Sequence, residues 1–231
     1  MVVKKTAAKT PAARAAEALA MLKRKASPKY RADMGPRYGI YVETALGTPM
    51  AEIKLIAKSL GRDHALAEAL WRTGVYDARL LASLVDEPEK LTAAQMDRWR
   101  RDFDNWGVTD TLCFNLFDKT PHAFAKAMQW AKLKGEFDKR AGFALMACLA
   151  LHRKAEADAP FLAMLPLIET GAADERNFVK KGVSWALRAI GLRKSAVLKR
   201  EALALAKRLA ASENAAARWV GKGAVRDLAK R

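Results

Sequence analysis

The stretch "DERNFVKKGVSWALRAIG", residues 174–191, decides the fold class. Asp174 opens it as a helix-start signal, and Gly191 suits the C-cap position where helices often end. Between them Phe178, Gly182, Ala186 and Ile190 recur every four residues, the spacing of a helical stripe rather than of a strand. Lys181, Trp185 and Arg188, at i, i+4 and i+7, form a second stripe that sets positive charge beside an indole. One segment thus combines an apolar seam with a basic, aromatic face.

Similar signals recur outward from it. Thr48-Pro49 and Thr120-Pro121 each pair an N-cap hydroxyl with a proline suited to the first helical position. Thr92 to Gln95 has capping-box spacing, with Met96, Trp99 and Phe103 on one face beyond it. Ser212-Glu213 opens a last helix. No run of residues alternates as a half-buried strand does. The expected helices are 12–25, 49–60, 62–72, 75–86, 93–105, 109–118, 121–133, 137–152, 158–170, 174–190, 195–211 and 213–229. Many of them pair at roughly 35–40 residues per pair, and such pairs stack into a curved solenoid. The expected fold is therefore all-α, a HEAT-like helical-repeat solenoid with a concave basic groove. Residues 34–47, "MGPRYGIYVETALG", interrupt the pattern as an ordered loop, either touching a ligand or simply connecting helices.

Charge narrows the partner. The chain of 231 residues carries 42 Lys and Arg against 25 Asp and Glu, a net +17, which points to a polyanion such as nucleic acid. Residues 1–31 hold nine of the basic side chains and one acid, Glu17, so that segment is +8 and the remainder still +9. We expect residues 1–25 to form a basic arm, partly disordered or helical, and residues 26–231 to form the repeat domain. Cys113 and Cys148 lie in apolar helical contexts with no second thiol at metal spacing, as buried reduced cysteines of a cytoplasmic protein do. No apolar run reaches the 18 residues of a membrane span, and the first residues lack the apolar core of a secretory signal.

Common enzyme signatures are missing. There is no phosphate loop with its lysine, no dinucleotide fingerprint and no Gly-x-Ser-x-Gly elbow. His64, His122 and His152 stand apart from one another, so neither a metal nor a nucleotide cofactor is expected. Two places remain. In "DFDNWGVTDTLCFNLFD", 102–118, Gly107 suggests that Trp106 lies at a turn with Asp110 in the first helical turn, where the helix dipole keeps a carboxylate ionised. The alternative is a capping aspartate beside a core tryptophan. The second place is the Lys181–Trp185–Arg188 face, which offers ammonium to phosphate and a ring to sugar or base. Its alternative is a half-buried indole under snorkelling stems. Trp71, Trp99 and Trp130 read as core, and Trp219, between Arg218 and Lys222, reads either way.

Four ordered blocks, "YDARLLASLVDEP", "MDRWRRDFDNWGVTDTLCFNLFDKTP", "KRAGFALMACLALH" and "DERNFVKKGVSWALRAIG", together resemble the DNA alkylation repair family, the alkylpurine DNA glycosylases built from HEAT-like repeats. The likeness covers about residues 40–230. It implies hydrolysis of the glycosidic bond of cationic alkylated purines, of the 3-methyladenine and 7-methylguanine type, in duplex DNA. It also implies roles for Trp106, Asp110 and Trp185 in catalysis and for Arg140 in holding the DNA backbone. Lys180, Lys181 and Arg188 are the further expected DNA contacts. Asp110 is expected to stabilise the sugar cation and position water between two indoles. The expected partner is alkylated duplex DNA, met by a monomer at the nucleoid, with no membrane and no cofactor. Some relatives lacking such groups bind DNA without this activity, so a non-catalytic binder of bent or branched DNA is the competing expectation, and a repeat adaptor for an acidic protein the remoter one.

Overall fold

The computed structural model describes residues 9–230. Lys4 and Lys5 of the expected basic arm lie outside the described residues. The chain divides into two compact units, the first ending at Lys90 and the second beginning at Leu91. Among the described residues every regular element is a helix.

The first unit holds α1 (Pro11–Lys25), α2 (Pro28–Tyr38), α3 (Met50–Leu60), α4 (His64–Arg72) and α5 (Tyr76–Val85). Thr10 caps α1 through its hydroxyl, which accepts from the Ala13 amide. From Pro11 to Lys25 the expected arm is helix α1. Helix α1 packs on α4 with Ala18 and Leu22 fully buried, so it belongs to the core of this unit. The expected loop 34–47 begins as helix: α2 runs through Pro36 to Tyr38 and ends at Gly39, in the left-handed region at φ 66° that suits glycine. The rest is an anchored connector. Buried Asp77 accepts from the amides of Leu46 (2.6 Å) and Thr48 (2.7 Å), while Arg31 Nε donates to the Ala45 carbonyl at 2.8 Å. Thr48 is not the cap of α3. Its hydroxyl donates to the Leu22 carbonyl, and Pro49 takes the cap position without a side-chain bond.

The second unit holds α6 (Ala93–Arg100), α7 (Trp106–Asn115), a 3-10 turn (Phe117–Lys119), α8 (Ala123–Trp130), α9 (Glu136–His152), α10 (Asp158–Leu162), α11 (Leu165–Gly171), α12 (Asn177–Gly191), α13 (Ala196–Ala210) and α14 (Ala215–Ala229). Thr92 caps α6 as expected, accepting from the Gln95 amide. Thr120 does not cap α8, because its hydroxyl donates back to the Phe117 carbonyl. The expected helix 158–170 is two short helices, α10 and α11.

Contacts in this unit repeat with a regular offset. Asp110 and Cys113 of α7 meet Arg140 and Ala141 of α9. Arg140 and Phe143 of α9 meet Gly182 of α12, and Lys180, Ser184 and Arg188 of α12 meet Trp219, Gly223 and Asp227 of α14. Partners advance together along each pair, so α7, α9, α12 and α14 run parallel as one layer. Short connections fold α8 back on α9 and α13 back on α14. At both hairpins a glycine permits the close approach: a Cβ on Gly142 would lie 2.2 Å from the Ala131 nitrogen, and one on Gly221 2.2 Å from the Ala210 nitrogen. The helix α9 at the centre is buried from Arg140 to Ala150. Trp99 and Trp130 are fully buried and Trp71 nearly so, as expected of core residues.

Candidate functional site

Helix α7 starts earlier than its glycine suggests. Asn105 is the N-cap, its side chain accepting from the Val108 amide at 3.0 Å, so Trp106 is the first helical residue. The break lies ahead of the tryptophan because an asparagine is available to satisfy an orphan amide there. Asp110 consequently sits in the second turn, one turn beyond Trp106 on the same side. Val108, Thr109, Leu112 and Cys113 face the core, and Trp106, Asp110 and Phe114 make up the open stripe.

Asp110 is held by an arginine rather than left alone. Arg140 Nε donates to one carboxylate oxygen at 2.9 Å and Nη2 to the other at 2.6 Å, a bidentate fork. Its third nitrogen, Nη1, donates to the Phe178 carbonyl of α12 at 2.6 Å. The Arg140 side chain is 7% exposed and that of Asp110 19%. The sequence reading places Arg140 on the DNA backbone; in the structure its guanidinium is turned inward and spent on α7 and α12. Thirty residues separate the two partners, and nothing local in the sequence points to the pairing. Burial pushes the Asp110 carboxyl above the ordinary 3.8, and Arg140 pulls against that rise. The group is thus a carboxylate with restricted access to water, fixed in orientation by a permanent cation.

Helix α12 presents Phe178, Lys181, Trp185 and Arg188 along its open side, spaced as the sequence reading expects for the last three. Phe178 departs from its assigned apolar seam: it is half-buried on the open side, its ring 5.3 Å from that of Phe137. Trp185 stands two turns, about 10 Å, along α12 from the carbonyl that anchors Arg140. Lys181 is exposed and has no ion pair among the described residues. Arg188 donates to the Ser184 carbonyl and pairs with Asp227 at 2.8 Å. Lys180 leans the other way, its Nζ 5.1 Å from the centre of the Trp219 ring. At the start of α12, Asp174 takes Arg176 and Lys139, and those bonds hold its carboxyl well below the ordinary range.

Cys113 and Cys148 are free and buried, and burial pushes both thiols well above their ordinary value. No group of three or more His, Cys, Asp or Glu among the described residues is arranged to hold a metal ion. None of the described helices is long and apolar enough to cross a membrane.

Parallel helices in paired layers, with aromatic side chains on the open sides of α7, α12 and α14 and basic ones on those of α12 and α14, define a HEAT-like repeat protein. Its fold matches a solved structure of a family described as related to the HEAT-like repeat DNA glycosylases and having affinity for branched DNA structures. The TM-score is 0.74 at 19% identity, over 91% of this chain and 94% of that one. Among curated proteins there is no match. The model of the DNA alkylation repair enzyme family matches residues 18–228, and the chain belongs to that family.

Proposed function

We propose that this protein is an alkylpurine DNA glycosylase, a monofunctional hydrolase acting on the glycosidic bond of cationic alkylated purines in duplex DNA. The observation that carries the reading is the Trp106–Asp110 stripe with its carboxylate clamped in both oxygens by Arg140. An N-alkylated purine already bears positive charge, so the C1′–N bond is weak. When it breaks, the base leaves with the bonding electron pair and becomes neutral, and the charge passes to the sugar as an oxocarbenium ion. A fixed carboxylate beside that carbon stabilises it as it forms, which is worth about 3–4 kcal/mol for a preorganised group of this kind. Asp110 also accepts a hydrogen bond from the water that adds its oxygen to C1′, the released proton passing to solvent. In this reading Arg140 is a positioning residue for Asp110.

Trp106 and Trp185 supply ring faces to the deoxyribose cation, at about 0.5–2 kcal/mol each. Lys181, Lys180 and Arg188 take phosphates, with Arg188 leaving or sharing Asp227 to do so. Selectivity follows from the lesion's own charge, since a neutral base does not have the weakened bond.

A second reading is favoured by one observation: the structural relative is described by its affinity for branched DNA. In that reading the chain binds bent or branched duplexes without breaking a bond. Incubating the purified protein with duplex carrying 7-methylguanine separates the two. Release of free base supports the glycosylase, and tight binding with no release supports the binder.

A further inference from the structure

A cleft of about 330 Å³ lies between α12 and α14, lined by Ser184, Arg188, Trp219, Lys222, Gly223 and Arg226. It is separate from the Asp110–Arg140 pair, and nothing in the mechanism above uses Trp219, Lys222 or Arg226. Trp219 is the most exposed tryptophan among the described residues, at 48%, and its ring stands at the edge of the cleft. Lys180 stands over the ring at 5.1 Å, so four cations, Lys180, Arg188, Lys222 and Arg226, surround the site. One carboxylate, Asp227, answers Arg188 at 2.8 Å and Arg226 at 3.4 Å. Lys222 has no ion pair among the described residues. The floor is open because Gly223 has no side chain: a Cβ there would meet only Ser184 Oγ, at 4.0 Å.

We propose that this cleft is a second DNA-contacting site, one that takes an unpaired nucleotide, with the base stacked on Trp219 and the flanking phosphates on Lys222, Arg226 and Lys180. Phosphate alone accounts for the cations but leaves the indole without a role. An intact duplex offers phosphate and hides its base faces in the stack. An unpaired base offers both, and stacking on an aromatic ring tolerates any base because each has a π-face. The volume, near the lower bound of small-ligand sites, suits one nucleotide rather than a helix. Lys180 makes room by rotating its own stem from the ring toward the phosphate. The proposal rests on the chain binding DNA and not on its breaking a glycosidic bond.

The test compares the affinity of the full chain for a blunt, lesion-free duplex and for the same duplex with a short single-stranded overhang. Wild type should prefer the overhang by about tenfold, the scale of one stacked base. Trp219→Ala should abolish that preference without changing blunt-duplex affinity, and Trp219→Phe should retain most of it. Gly223→Leu, which fills the cleft where the backbone has room, should also abolish it. A wild-type chain indifferent to the overhang overturns the proposal. So does a Trp219→Ala variant that keeps the preference or loses affinity equally for both DNAs. Base release from methylated duplex, measured on the same variants, keeps this outcome distinct from the fate of the glycosylase reading: overhang preference through Trp219 without any release leaves the cleft in place and removes the hydrolysis.

Discussion

The two seams flanking α12 share a parallel geometry and differ in electrostatics. Toward α9, Arg140 is fully committed to Asp110 and the Phe178 carbonyl, and its guanidinium is buried. Toward α14, cations outnumber carboxylates, Lys222 is unpaired among the described residues, and an indole stands half in solvent. The first seam is closed and fixes one anion in place. The second is open and holds more cations than carboxylates. A buried, satisfied pair gives precise orientation at low dielectric, whereas an open basic surface gives affinity that salt readily screens. One repeat ladder thus holds a closed, fixed ion pair and an open basic surface on opposite sides of a single helix.

Breaking the closed seam should have the largest effect. Arg140→Met leaves Asp110 without its cation and should lower unfolding stability by about 3 kcal/mol, the low end for a broken buried pair because Asp110 keeps some access to water. Urea denaturation measures it, and base release should fall with it even where the variant remains folded. A loss under about 0.5 kcal/mol would mean that the fork is incidental. Next comes the hairpin that carries α9: Gly142→Ala puts a methyl where the Ala131 backbone already sits and should cost about 1–3 kcal/mol. Gly223→Ala, in the open seam, should be neutral or slightly stabilising, and the contrast between the two glycines is itself the check.

Much of the fold was legible in the sequence, for a physical reason. Helix periodicity and caps are local, so the stripe of α12, the Thr92 cap and the core tryptophans could be read directly. At the misassigned starts the hydroxyl finds a carbonyl outside the helix it was expected to cap: Thr48 reaches the distant Leu22, visible only once the chain is folded, and Thr120 turns back on Phe117 in the 3-10 turn before it. The start of α7 was missed because Asn105 as a cap outweighs Gly107 as a break. For the candidate site, Trp106 and Asp110 were legible as neighbours, but with Trp106 at a turn rather than on the same helix as Asp110. The Arg140 fork was not, since it joins residues on different helices through side-chain geometry alone. Trp219 was ambiguous for the same reason: its cleft is made by Gly223 on its own helix together with Ser184 on another.

Smaller effects sharpen the comparison. The raised Asp110 carboxyl must be ionised to stabilise a cation, so the acid limb of the excision profile should have its midpoint above the ordinary carboxylate value of 3.8, because protonation removes the active form as pH falls. A midpoint at or below that value would show that the Arg140 charge outweighs burial. Trp185→Ala should reduce excision by roughly 3- to 30-fold, the range of a cation–π contribution, with little change in stability. Lys181→Gln should weaken duplex affinity modestly and flatten its logarithmic salt dependence by about one unit, without altering the excision rate at saturation. An unchanged slope would take Lys181 off the phosphate track.

In the proposed reaction Asp110, fixed by Arg140, stabilises the sugar cation as the base departs. Its most direct test is single-turnover release of 7-methylguanine from duplex DNA by wild type and by Asp110→Asn, with DNA affinity measured alongside. Release by Asp110→Asn should fall about a hundredfold or more with affinity nearly unchanged. Equal rates for the two proteins, or no release by wild type bound to lesion DNA, would contradict it.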